Sequence, residues 1–134
     1  MEWRFGPHTL SFEEPDLVRV TFHGQMDVKE QQEMYAFVEE IRARQKDLYL
    51  LGDLRLGTGF SPRARRSMGE NADPVQYRAM AFFGASFTVR TIFNMLGRAQ
   101  FLMGRKTASM AFTETEQEAR QWLAQQRALH VHSS

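Results

Sequence analysis

The chain has 134 residues, 43% of them apolar and 25% charged, with a formal net charge of +1. That length suits one domain with a real core, and so small a charge draws neither nucleic acid nor an anionic membrane through its overall field. Cysteine is absent, which excludes disulfides and thiolate chemistry. No apolar stretch is long enough to span a bilayer, and Met1-Glu2-Trp3-Arg4-Phe5 lacks a signal-peptide core, so a cytoplasmic protein is expected.

Trp3 and Phe5, then Leu10 and Phe12, alternate on either side of Gly6-Pro7 and predict two short strands around a turn. Leu17 to His23 alternates again: Val18, Val20 and Phe22 share one face, Arg19, Thr21 and His23 the other, and Gly24 ends the strand. Asp27 with Glu30 resembles a capping box for a helix whose Met34, Phe37, Val38 and Ile41 form one buried stripe. Leu48 to Leu51 is unbroken apolar sequence, as suits a strand enclosed on both faces of a sheet. The chain then turns polar and glycine-rich. Gly57 and Gly59 predict a tight loop, and Ser61-Pro62 a capped helix start. From Pro62 to about Ala72 the apolar content is little more than Ala64, Met68 and Ala72, so this helix should be peripheral, closing at Asp73-Pro74.

Ala79 to Gly84 predicts the next strand. Thr88, Ile92, Met95, Leu96, Ala99, Leu102 and Met103 fall on one arc of a long helix, leaving Phe93 and Phe101, either side of Gly97, to find a second partner. Ala108, Met110 and Phe112 alternate in a last strand. Thr113 with Glu116 resembles a second capping box, opening a helix with Ala119, Trp122 and Leu123 inward, and His130 to Ser134 reads as a frayed tail. The expected fold is α/β: one domain over residues 1–134, with a mixed, mostly parallel sheet of about five strands. An N-terminal antiparallel pair opens that sheet, and four helices flank it.

Three stretches carry a family likeness: Val18-Arg19-Val20-Thr21-Phe22-His23-Gly24, Leu51-Gly52-Asp53-Leu54-Arg55 and Glu118-Ala119-Arg120-Gln121-Trp122-Leu123. From about Leu17 to Gln126 the chain resembles the STAS domain, and within it the SpoIIAA-like branch of small stand-alone bacterial proteins. The resemblance implies non-catalytic signalling work on a protein partner, through the loop before the second helix. In anti-sigma factor antagonists that loop carries Asp-Ser-Ser/Thr-Gly, whose hydroxyl a partner kinase phosphorylates. Here the region reads Gly57-Thr58-Gly59-Phe60-Ser61-Pro62, without the Asp-Ser pair. Ser61 is the nearest positional counterpart and Thr58 the second.

The amides around Gly57, Gly59 and Ser61, with Arg63, Arg65 and Arg66, form a candidate site for a small anion such as phosphate. The plainer reading of Ser61 is a helix cap, and the glycines fall short of a P-loop. Asp53 is expected to shape the loop by accepting amide hydrogen bonds. No histidine or second acid lies near it, so no catalytic constellation is visible and no enzyme is expected. Phe93, Gly97 and Phe101 suggest an apolar surface. Its occupant would be a second copy, in a homodimer through the Ser86–Lys106 helix, or a small hydrophobic ligand or lipid. His8, His23, His130 and His132 show no metal-ligand spacing, and no cofactor is expected. The basic cluster from Arg63 to Arg66 lacks the interleaved aromatics of a nucleic-acid surface. The sequence therefore reads as a partner-binding module using Leu56 to Met68, with a hydrophobic-ligand carrier as the alternative.

Overall fold

The structure, a computed structural model, describes residues 2–70, 77–102 and 109–133. Six strands form one sheet whose spatial order follows chain order: β1 (Glu2–Phe5), β2 (His8–Glu13), β3 (Leu17–Met26), β4 (Tyr49–Phe60), β5 (Ala79–Phe83) and β6 (Ser109–Thr113). The first two pairings are antiparallel and the next three parallel. Helices α1 (Val28–Arg42), α2 (Pro62–Glu70) and α3 (Phe87–Leu102) make the crossovers, and α4 (Glu116–Ser133) follows the last strand. Each right-handed crossover advances the sheet by one strand in the same direction, so the three crossover helices share one face.

That face holds the larger core. Val18, Val20 and Phe22 of β3, Leu50 and Leu54 of β4 and Phe82 of β5 meet Met34, Val38 and Ile41 of α1 and Val89 and Phe93 of α3. Phe37 is only half-buried and closes the margin of this core against the Trp3 and Phe5 rings. On the opposite face α4 lays Ala119 and Leu123 over Leu17, Tyr49, Leu51, Ala79, Ala81 and Phe83. It covers β4, β5 and β6, and beyond it the sheet presents Arg4, Thr9, Ser11 and Thr21. Period-2 alternation explains this division: apolar residues alternate with polar ones in β2 and β3, whereas β4 is apolar on both sides from Tyr49 to Leu51. As expected, β4 is enclosed and central, with every residue from Tyr49 to Leu54 buried.

Several elements differ from the sequence reading. The sheet has six strands, because Glu2–Phe5 and His8–Glu13 both pair into it. β3 does not end at Gly24, nor does β4 give way to a loop at Gly57. The two strands run on together as a parallel ribbon from His23↔Leu56 to Met26↔Phe60. The ribbon has two register shifts, and Gly24 (φ +76°) and Gly59 (φ +104°) flank the second, so glycine there marks a bulge within strands. On α3 the buried arc is set by Val89 and Phe93, while Thr88 and Met95 are exposed. The helix is apolar on two arcs, and the large ring won the inward place. The second capping box is displaced by two residues: Thr115 N–H donates to Glu118 Oε1 at 3.2 Å, and Glu118 N–H to Thr115 Oγ1 at 3.2 Å. Helix α4 continues through His130 to Ser133, where a frayed tail was expected, and His130 Nδ1 meets the Tyr49 hydroxyl at 2.8 Å. The expected helix end at Asp73-Pro74, and Met103 and Ala108, lie outside the described residues.

Candidate functional site

The ribbon delivers the chain directly into α2. Ser61 N–H donates to the Met26 carbonyl at 2.9 Å, tying the ends of β3 and β4 together. The Ser61 hydroxyl then accepts from Ala64 N–H at 3.0 Å, capping α2, and donates to Asp27 Oδ1 at 2.6 Å. Asp27 is itself the cap of α1, where its N–H meets the Glu30 carboxylate at 3.5 Å. One carboxylate–hydroxyl contact therefore joins the starts of two helices. The Ser61 hydrogen bond, then the Val28 N–H and the Arg63 charge, hold the Asp27 carboxyl below its ordinary value against a slight effect of burial. Sequence reading assigned Asp27 to α1 alone, since a contact 34 residues away leaves no local trace.

The residues expected to form the site divide sharply. Ser61 is buried, with 7% of its surface exposed, and both capacities of its hydroxyl are used. Thr58 is exposed on the ribbon, and Arg63, Arg65 and Arg66 are exposed on α2. Gly57 and Gly59 are strand residues paired with Gly24 and Gln25, so their amides belong to the ribbon and form no loop cradle. At the α2 start, the candidate anion position, the chain supplies a carboxylate of its own, Asp27. Phe93 is not an open surface. It is 8% exposed, and its ring lies 5.1 Å from Phe60, 4.8 Å from Phe82 and 6.1 Å from Phe112. The side chains at Gly97 and Phe101 lie outside the described residues. Among the described residues, the large apolar groups that face outward are Leu56 (61% exposed) on the ribbon, Phe87 and Met95 on α3 and Leu129 on α4. Leu56 opens the stretch expected to bind a partner, Met95 was expected on the inward arc, and Phe87 and Leu129 were not singled out from sequence.

Asp53 ends the enclosed part of β4, and its role is larger than loop shaping. Its carboxylate accepts from the Arg55 backbone at 3.1 Å and bidentately from the Arg55 guanidinium at 3.0 and 2.7 Å. Arg19 approaches the other side at 3.7 Å, and both guanidinium groups lie over the Phe83 ring. Arg19 continues to Glu116 at 3.3 and 2.8 Å, Glu116 to Arg120 at 2.9 Å, and Arg120 to Glu13 at 3.2 and 2.7 Å. Signs alternate along the whole chain, which seats the first turn of α4 on the sheet. Farther along, Arg127 holds the buried Asp16 at 2.9 and 2.6 Å and lies over the Tyr49 ring. Burial alone would raise the Asp53 carboxyl, but the Arg55 side chain and backbone, with Arg19, bring it below its ordinary value.

Glu116 carries the largest consequence for pH. Hydrogen bonds from Arg19, opposed by burial and reinforced by Arg120, bring its carboxyl from 4.5 down to about 2. A carboxyl depressed in the folded state stabilises the fold fully above its unfolded value and loses that contribution as the pH falls through the folded value. Stability should therefore decline from about pH 5 toward pH 2 by about 1–2 kcal/mol, after allowance for solvent screening of a partly exposed pair. Urea titrations across that range on wild type and Glu116→Gln check it, with the variant expected to show the shallower dependence.

An open cleft of about 600 Å³ lies at the carboxyl ends of β5 and β6, lined by Arg90, Phe112, Thr113, Glu114 and Glu118 among others. Among the described residues no cluster of three or more histidine, aspartate or glutamate side chains is placed to hold a metal ion. Among them, too, no helix is long and apolar enough to cross a membrane.

An antiparallel hairpin opening a parallel sheet, three helices on one face and a lone last helix on the other, is the architecture of the STAS domain. The chain belongs to the SpoIIAA-like family, which matches it over residues 17–124, from β3 into α4. Among solved structures, it resembles an uncharacterised protein of the DUF3478 family with a SpoIIAA-like fold from Shewanella loihica PV-4. That match has 17% identity and a TM-score of 0.57, covering 85% of this chain and 89% of the other. It also resembles the anti-sigma factor antagonist SpoIIAA in its unphosphorylated form, at 12% identity and a TM-score of 0.56, covering 87% and 97%. No curated protein sequence matches the chain.

Proposed function

We propose that this protein is a non-enzymatic regulatory module that docks a protein partner on the surface running from Leu56 to Met68. The observation that carries the reading is Leu56, a large apolar side chain 61% exposed beside exposed Thr58 and followed by exposed Arg63, Arg65 and Arg66. Exposed apolar anchors and arginines are both features of protein-binding surfaces. Membership of the SpoIIAA-like family supports it, as does the structural likeness to a protein described as an anti-sigma factor antagonist. If a hydroxyl here is phosphorylated, Thr58 is the better candidate, because modifying Ser61 would break its bonds to Asp27 and Ala64.

Capture from a lysate of the native host tests this. Wild-type protein should retain a partner that Leu56→Glu loses, while the variant keeps the thermal midpoint of the parent because Leu56 lies outside the core. Equal retention by both would rule the patch out. Intact-mass analysis of host-purified protein, with and without Thr58→Val, locates any phosphate.

Exposed Phe87 and Met95 on α3 favour a second reading, a homodimer through this helix. Light scattering that finds only monomer at high concentration removes it.

A further inference from the structure

His8 is wholly buried at the start of β2, between the Phe5 and Phe22 rings at 5.3 and 5.9 Å. Its Nδ1 accepts a hydrogen bond from the His23 backbone N–H at 3.0 Å. The neutral ring therefore carries its proton on Nε2, and that atom is the one buried side-chain polar atom among the described residues without a hydrogen-bond partner. The contact falls where the β3–β4 register shifts, and His23 is the residue that faces Leu56 across the ribbon. At the far end of the ribbon Met26 receives the Ser61 N–H. The imidazole thus completes the β3 edge at the base of the segment that presents Leu56 and Thr58.

We propose that His8 is an acid-sensitive catch for this ribbon: a proton added at Nδ1 turns its acceptor into a donor aimed at the His23 N–H, and the ribbon comes loose from β2. Two N–H groups cannot share one hydrogen bond, so the contact does not weaken gradually but reverses. The protonated ring would also be a buried cation. Titratable groups face it from two elements: the Glu30 carboxylate of α1, which favours the proton, and the His23 side chain of β3, which opposes it. The Gln25 backbone carbonyl also favours the proton. From β1 comes only Phe5. Burial is the largest influence and disfavours the charged ring, holding its proton affinity below the ordinary imidazole value of 6.5. Glu30 is engaged at the α1 start, with its Cγ 2.9 Å from where a Cβ on Gly6 would lie, so it packs over the β1–β2 turn beside the ring. The loosening falls at the base of the surface assigned above to partner binding. That functional meaning rests on the proposed docking role, whereas the catch itself does not.

The experiment uses the full chain without any partner. NMR follows the His8 ring and the protection of the His23 and Ser61 amides from about pH 7 down to about pH 4.5. The His8 midpoint should lie below the ordinary imidazole value. Across it, both amides should lose about tenfold in protection after correction for intrinsic exchange. In His8→Asn, whose Oδ1 can accept in place of Nδ1 but does not titrate, protection should hold constant over the same range. Should that variant fail to fold, wild-type amides in the helical middle of α1, which must not respond, serve as the internal control. A ring that titrates while the two amides keep their protection would overturn the proposal. So would a ring that stays neutral throughout, or amides that loosen equally in His8→Asn. Loss of partner capture at every pH would instead count against the docking role and leave the catch standing.

Discussion

Replacing Gly52 with alanine is expected to lower the stability of the fold by about 3 kcal/mol and the thermal midpoint by about 10 °C. Gly52 lies in the middle of the enclosed part of β4, between Val20 on β3 and Phe82 on β5. A Cβ there would come 2.4 Å from Phe82 Cδ1, 2.7 Å from Phe82 Cε1 and 3.3 Å from Phe22 Cε2. The Phe82 ring has no room to retreat, because Phe93 lies 4.8 Å and Phe112 5.6 Å from its centroid. The methyl group must therefore displace a ring cluster that spans β4, β5, β6 and α3, at the upper end of the usual overpacking cost. A double variant, Gly52→Ala with Phe82→Leu, should lose less stability than the two single changes added together, since the smaller side chain makes the room. A Gly52→Ala protein within about 0.5 kcal/mol of wild type in urea denaturation would show that this packing is wrong.

One residue on, the opposite face gives the second large effect. Asp53→Ala is expected to cost about 3 kcal/mol. The carboxylate is buried and receives three hydrogen bonds from Arg55 as well as the charge of Arg19. Removing it leaves two guanidinium groups over the Phe83 ring with no counter-charge between them. Arg55 can turn to solvent, since its side chain is 65% exposed, but Arg19 is 21% exposed and held by Glu116 and Thr21. The residual cost lies at Arg19. Adding Arg19→Met to Asp53→Ala should recover part of the loss, because a buried pair is harmed more by losing one partner than both. If that double variant is no better than Asp53→Ala alone, Arg19 and Asp53 are not coupled.

These adjacent positions show what a sequence can and cannot disclose. Periodicity placed β4 at the centre and assigned the strand faces, because burial alternates with the backbone itself. It could not distinguish a glycine that turns the chain from one that lets a ring lie flat on a strand. Gly52, Gly57 and Gly59 look alike until the neighbours across the sheet are known. Phe93 shows the same limit on a helix with two apolar arcs. The inward one is settled by Phe60, Phe82 and Phe112, which come from three different strands. Ser61 was legible as a cap because capping is local, whereas its bond to Asp27 is not. The chain of charges from Arg55 to Glu13 was hidden for the same reason: its members come from β2, β3, β4 and α4, and apart from the buried Asp53 none stands out in the sequence.

The placement of α4 bears on how the molecule is made. Strands leave the ribosome in the order in which they sit side by side, so each can be added to its finished neighbour as it emerges. Among the described residues, it is the helix after Thr115 that covers the other side. Until it arrives, Leu17, Tyr49, Leu51, Ala79, Ala81 and Phe83 form a bare greasy strip. A nascent chain, or one terminated before Thr115, would expose that strip to chaperones and to other unfinished copies, and the arrival of α4 is what closes it.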